Sequence, residues 1–119
     1  MNSSSLALET IDPADLASRL KAGKVLLIDV REPPEFLAER IPGALLYPLS
    51  TFDAAALPPD GERVVVFHCA GGKRSLDAAQ RRLAGGCAQA THLGGGIAAW
   101  KAAGLPVISA GSAVGSWSI

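Results

Sequence analysis

Apolar and polar positions alternate along this chain in blocks that predict strands and helices in turn. Val25–Val30 (VLLIDV) is apolar at every position but Asp29, the pattern of a strand buried on both faces. Val64–Phe67 carries three consecutive β-branched valines and gives the strongest strand signal. Ahead of the first run, Asp12-Pro13 predicts a helix start, with Asp12 as N-cap and proline at the first helical position. Leu16 and Leu20 share one face of that helix, and Gly23 ends it. Pro33-Pro34 opens a short helix over Glu35–Glu39 that Pro42-Gly43 stops. Ala44–Leu49 reads as a short strand, Ser50–Ala56 as one or two helical turns, and Pro58–Gly61 as a turn. Ser75–Ala84 places Leu76, Ala79 and Leu83 on one helical face. Ala90–Leu93 is a last short strand, and Ile97–Ala103 a closing helix capped by Gly104.

This order predicts an α/β fold: a central parallel sheet of about five short strands with helices on both faces. Ligands in such sheets sit beyond the carboxyl ends of strands. That rule selects Asp29–Glu32 and Cys69–Arg74. Residues 1–9 are expected to be a mobile lead-in, 10–108 the domain, and 109–119 a Ser/Gly-rich tail. The tail ends in Trp117 and Ile119, two apolar side chains suited to docking on the domain or on a neighbour.

Composition narrows the partners. The 119 residues carry 11 basic and 11 acidic side chains, so no basic excess exists to neutralise a nucleic-acid backbone. The hydrophobic fraction of 49% includes 21 alanines and only six aromatic residues, so aliphatic packing must dominate the core. Leu83–Trp100 and Ala102–Ile119 lack charged residues, but glycines and polar side chains interrupt both, and no membrane partner is expected. MNSSSLALET has neither the basic start nor the long apolar stretch of a secretory signal. With only two cysteines there is no disulfide framework, and a cytoplasmic location is expected, where a free thiol serves chemistry.

The chemistry gathers in His68-Cys69-Ala70-Gly71-Gly72-Lys73-Arg74-Ser75. A cysteine leaves a buried strand, and a glycine-rich loop turns back into a helix. Consecutive backbone N–H groups in such a loop converge as an anion nest, and the helix adds partial positive charge at its N-terminus. Lys73 and Arg74 add full charges nearby. A free thiol has a pKa of about 8.5; this setting lowers it toward the ~3.5–7.5 range of reactive cysteines. Gly71 and Gly72 suit either a plain tight turn or close approach to a bound anion, and the surrounding residues favour the second.

This loop resembles the active-site loop of rhodanese-like sulfurtransferases, in which a cysteine and an arginine are separated by four residues. Ile28-Asp29-Val30-Arg31-Glu32 with Glu35-Phe36, Ile41-Pro42-Gly43-Ala44, and Leu93-Gly94-Gly95-Gly96-Ile97-Ala98-Ala99-Trp100 resemble three further family motifs in the same order. The likeness runs from about Thr10 to Val107. One departure is Arg40, where the family often has histidine before Ile-Pro-Gly-Ala; it puts the packing of that turn in question. The resemblance implies a single-domain, three-layer rhodanese-like fold that moves sulfane sulfur from thiosulfate or a related donor to cyanide or a thiol, through a persulfide. It implies Cys69 as nucleophile and sulfur carrier, and the backbone of Ala70, Gly71, Gly72, Lys73, Arg74 and Ser75 as the persulfide cradle. Lys73 and Arg74 would bind the small anionic donor. The acceptor could be a thiol protein, and no metal or organic cofactor is implied. Two other readings are a sulfur-relay or docking module of the same fold and a phosphatase-like relative, whose loop is one residue longer.

Other residues carry weaker signals. Arg31 suits either an ion pair with Asp29 or contact with donor anions. His68 adjoins Cys69, but neighbouring strand residues point to opposite faces, so packing is expected. His92 and Trp100 are also assigned to packing. Cys87, in Gly-Gly-Cys-Ala, suits a small hydrophobe in a turn better than a second sulfur-handling thiol.

Overall fold

The computed structural model describes residues 7–110. In chain order the elements are β1 (Ala7–Ile11), α1 (Pro13–Lys21), β2 (Val25–Asp29), α2 (Pro33–Ala38), β3 (Glu39–Arg40), β4 (Leu45–Leu46), β5 (Val64–His68), α3 (Lys73–Ala84), β6 (Gln89–Leu93), α4 (Gly96–Ala102) and β7 (Ile108–Ser109). Short 3-10 helices cover Leu49–Thr51 and Ala54–Ala56. The main sheet is parallel, with order β1-β6-β5-β2-β4. The α/β architecture expected from the alternating blocks is the one observed.

Strand alternation divides the core between the two faces. Leu27 and Val66 pack with Leu16 of α1 and with Ile97 and Trp100 of α4. Ile28, Val65 and Phe67 pack on the other face with Ala78 and Ala79 of α3. Each buried aliphatic side chain of this kind contributes about 1.5–3 kcal/mol. The two alanines let α3 lie close to β5 and β6, which brings its N-terminus beside the carboxyl end of β5. Asp12 caps α1, accepting from the Asp15 N–H at 2.8 Å, as its position before Pro13 predicts.

Several boundaries differ from the sequence reading. The lead-in does not run to residue 9, because Ala7–Ile11 pairs in full register with β6 at the sheet edge. The alternation there was weak, since three of its five residues are exposed. The strand expected over Ala44–Leu49 contracts to Leu45–Leu46. Helix α3 begins at Lys73 rather than Ser75, because Gly72 adopts φ +106° and turns the chain into the helix two residues early. A small antiparallel ladder joins Glu39–Arg40 to Ile108–Ser109, carrying order one residue beyond the expected end of the domain. Arg40, the residue that departs from the family pattern, lays its guanidinium 5.2 Å over the Phe36 ring and pairs with Ile108. Trp100 is an anchor: it is buried and its indole N–H donates to Pro106 O at 2.8 Å. The proposed docking roles of Trp117 and Ile119 lie outside the described residues. Among the described residues, no helix is long and apolar enough to cross a membrane.

Candidate active site

At the carboxyl end of β5 the chain leaves the sheet at Cys69 and re-enters regular structure at Lys73. The start of a helix leaves backbone N–H groups without partners, and a side-chain oxygen usually accepts from one of them. Here Gly72 occupies the N-cap position and has no side chain to offer. The Cys69 sulfur takes that place, accepting from the Gly72 N–H at 3.1 Å and the Ser75 N–H at 3.3 Å. The Ser75 hydroxyl lies 3.6 Å from the same sulfur. Burial pushes the Cys69 thiol up, but the Ser75 hydroxyl and the backbone N–H groups of Ser75, Gly72 and Gly71 outweigh it, and the net shift is downward. Cys69 is only 1% exposed, so these hydrogen bonds act in a medium of low dielectric constant, where they are stronger.

A second layer holds the loop from below. Ile97 N–H donates to Cys69 O at 2.9 Å and Ala98 N–H to Ala70 O at 3.1 Å, so the first turn of α4 grips the loop's carbonyls. Gly96 makes this approach possible: a Cβ there would stand 2.5 Å from both Cys69 O and Ala70 O. The glycine run ahead of Ile97 is thus a packing surface for the cysteine loop.

The cationic residues do not all act as the sequence suggested. Arg74 directs its guanidinium to Glu35, with Nη1 and Nη2 donating to the two carboxylate oxygens at 2.8 and 2.9 Å. This contact, ahead of opposing burial, holds the Glu35 carboxyl down from 4.5 to about 2. Both side chains remain about a third exposed, so the pair chiefly ties the start of α3 to α2. Lys73 is exposed on the first turn of α3, with Arg74 beside it. Arg31 is buried and donates to both Asp29 carboxylate oxygens, at 3.0 and 2.8 Å, and to Glu39 O. Its Nε and Nη2 are thus taken up by the ion pair with Asp29 and by Glu39 O. His68 lies on the Asp29 side of the strand, with Nε2 3.4 Å from the carboxylate in poor hydrogen-bond geometry. Burial pushes its pKa down, so it is neutral and packed rather than a base for Cys69. Cys87 follows the far end of α3, a helix of 12 residues spanning about 18 Å. The two thiols are therefore too far apart for a disulfide in this fold.

Two participants were missed. Glu35 sits 39 positions from Arg74 in sequence. His92, assigned to packing, places Nδ1 2.9 Å from the Ser75 hydroxyl. Among the described residues, no cluster of three His, Cys, Asp or Glu side chains is placed to hold a metal ion.

The site is thus a buried thiol at the focus of loop N–H groups, beyond the carboxyl end of the central parallel strand of an α/β domain. Residues 12–103 match the rhodanese-like domain family, and the chain belongs to that family. It is 39% identical over 108 residues to the uncharacterized protein slr1261 of Synechocystis, covering 91% of this chain and 60% of that protein. It is 35% identical to a sulfurtransferase of Allochromatium vinosum, over 83% of this chain and 94% of the relative. The crystal structure of a rhodanese-related protein from Thermoplasma volcanium superposes with TM-score 0.72 at 30% identity, covering 84% of this chain and 97% of that one.

Proposed function

We propose that this chain is a sulfurtransferase that carries sulfane sulfur as a persulfide on Cys69. The observation that carries the reading is the convergence of the Gly72 and Ser75 N–H groups on Cys69 Sγ inside a six-residue loop. Cys69 thiolate attacks the outer sulfur of thiosulfate, the S–S bond of the donor breaks, and sulfite leaves with the bonding electron pair. The outer sulfur of the resulting Cys69–S–S⁻ is then attacked by cyanide or a thiolate, which departs as thiocyanate or a new persulfide and returns Cys69 thiolate. Splitting one transfer into two displacements is nucleophilic catalysis. The loop N–H groups stabilise the anion as an oxyanion hole does. Arg74, anchored on Glu35, fixes the first turn of α3 and adds positive charge near the sulfur; exposed Lys73 offers an incoming anion a point charge. A small anionic donor and a thiol acceptor, free or on a protein, suit this site. A carrier that must stay reduced suits the cytoplasm.

The loop's size separates this reading from a phosphatase. A tetrahedral phosphate needs a wider ring of donors than a single sulfur, and donors must sit at about 2.7–3.1 Å from the charge they stabilise. Thiosulfate:cyanide transfer and aryl-phosphate hydrolysis, measured side by side, test it. Sulfur transfer with negligible phosphate hydrolysis is expected; efficient hydrolysis without transfer overturns the assignment.

A further inference from the structure

Behind the cysteine loop a line of side chains runs through the protein. Thr10 Oγ1 lies 3.1 Å from His92 Nε2, His92 Nδ1 lies 2.9 Å from Ser75 Oγ, and Ser75 Oγ lies 3.6 Å from Cys69 Sγ and 3.2 Å from Gly72 O. Ser75 and His92 are both buried. Ser75 has one proton to donate. Where it goes depends on which ring nitrogen of His92 carries hydrogen.

If Nε2 carries it, Nδ1 is a bare acceptor, Ser75 must donate to the ring, and a sulfur anion on Cys69 meets a hydroxyl lone pair. If Nδ1 carries it, the ring donates to Ser75 and the hydroxyl proton is free. It then rests on Gly72 O while Cys69 is a thiol, and swings to the sulfur when Cys69 becomes an anion. Thr10 completes the second arrangement by donating to Nε2. Only that arrangement turns a hydroxyl proton, rather than a lone pair, toward the sulfur anion, adding a third donor to the Gly72 and Ser75 N–H groups. Burial pushes the His92 pKa down, so the ring is neutral and has one donor and one acceptor. The nearby charges are engaged elsewhere, Arg74 with Glu35 and Arg31 with Asp29, and His68 is neutral.

We infer that His92 is a positioning residue of the sulfur site, held as the Nδ1–H tautomer so that Ser75 donates its hydroxyl proton to the Cys69 sulfur anion. This rests on the sulfur-carrier reading for its purpose, but its test needs no sulfur donor. The midpoint of thiolate formation is followed by ultraviolet absorbance against pH in a Cys87→Ser background, which leaves Cys69 as the reporting thiol. A hydrogen bond to a charged group shifts such an equilibrium about tenfold, so His92→Phe should raise the midpoint by about one pH unit. Ser75→Ala should raise it at least as much, and the double variant should match Ser75→Ala alone, because His92 acts through the serine. His92→Asn places an amide N–H near the Nδ1 position and should restore most of the loss; His92→Gln, whose amide falls near Nε2, should not. Nitrogen chemical shifts of His92 in the natural protein should report a protonated Nδ1 and a bare Nε2, independently of how any variant folds. An Nε2–H tautomer, an unmoved midpoint in His92→Phe, or additive effects in the double variant overturns the inference. The expected pattern in a protein that accepts no sulfur would leave this relay standing and remove the proposed function instead.

Discussion

Replacing Gly96 with alanine tests whether α4 really supports the cysteine loop. The new Cβ would stand 2.5 Å from the carbonyl oxygens of Cys69 and Ala70, against 3.4 Å for ordinary contact, so loop and helix must separate by about 0.9 Å. Both obstacles are backbone atoms, which cannot rotate aside. The separation weakens the bonds from Ile97 N–H and Ala98 N–H to those carbonyls, each worth about 1 kcal/mol. Gly96 also sits at φ +61°, where a side chain costs roughly 1–2 kcal/mol. The expected loss of stability is therefore about 3–4 kcal/mol, a large part of the 5–15 kcal/mol typical of a domain. Gly104→Ala is the matched control: its φ is +78° but nothing lies within 4 Å of the added Cβ. It should lose only the conformational part, about 1–2 kcal/mol. Urea unfolding of both variants gives the difference. Sulfur transfer, measured where both are folded, should fall about 100-fold in Gly96→Ala, the scale expected for a 1 Å misplacement of a reactive group. Gly104→Ala should stay within a few fold. Equal destabilisation of the two variants, with transfer intact in both, would refute the support attributed to α4.

Cys69→Ser should abolish thiosulfate:cyanide transfer, while Cys87→Ser leaves it within a few fold; comparable losses in steady-state assays would mean that both thiols handle sulfur. Glu35 has its carboxyl lowered from 4.5 to about 2 by Arg74, so the pair stabilises the fold above the ordinary carboxylate value and is lost as pH falls through the folded one. Glu35→Gln should therefore flatten the stability curve between about 4.5 and 2, and an unchanged acid limb in urea titrations would show the pair to be inert. Inserting one glycine between Gly71 and Gly72 should widen the nest, weaken sulfur transfer and raise affinity for vanadate, which competition binding would measure; tighter sulfur handling in the inserted loop would contradict the size argument.

Long apolar runs made the centre of the fold legible. Val25–Asp29 and Val64–His68 are buried strands whose neighbours on both faces demand such sequences. The edge strand Ala7–Ile11 was not, because only Ile11 is buried and the solvated positions carry no pattern. The pairing of Glu39–Arg40 with Ile108–Ser109 spans two residues on each side, too few to show any periodicity. At the site, Cys69 and its loop are contiguous in sequence and could be read directly. The partners of Arg74 and Ser75 could not, since Glu35 and His92 arrive from other elements through the sheet topology. Arg31 was readable as far as two alternatives, and the structure shows the first of them, the ion pair with Asp29 two residues away. The downward pull on the thiol was legible as a nest of loop N–H groups, and those of Ser75, Gly72 and Gly71 supply it; the Ser75 hydroxyl, which joins them, was not read from the sequence.

The central claim is that Cys69 takes up one sulfur atom and keeps it as an anion in the loop. Incubating the natural protein with thiosulfate, removing the donor and recording the intact mass tests it most directly. One added sulfur is predicted, retained in Cys87→Ser, absent in Cys69→Ser and removed by cyanide. An unchanged mass in the folded natural protein, or added sulfur that persists in Cys69→Ser, would contradict the account.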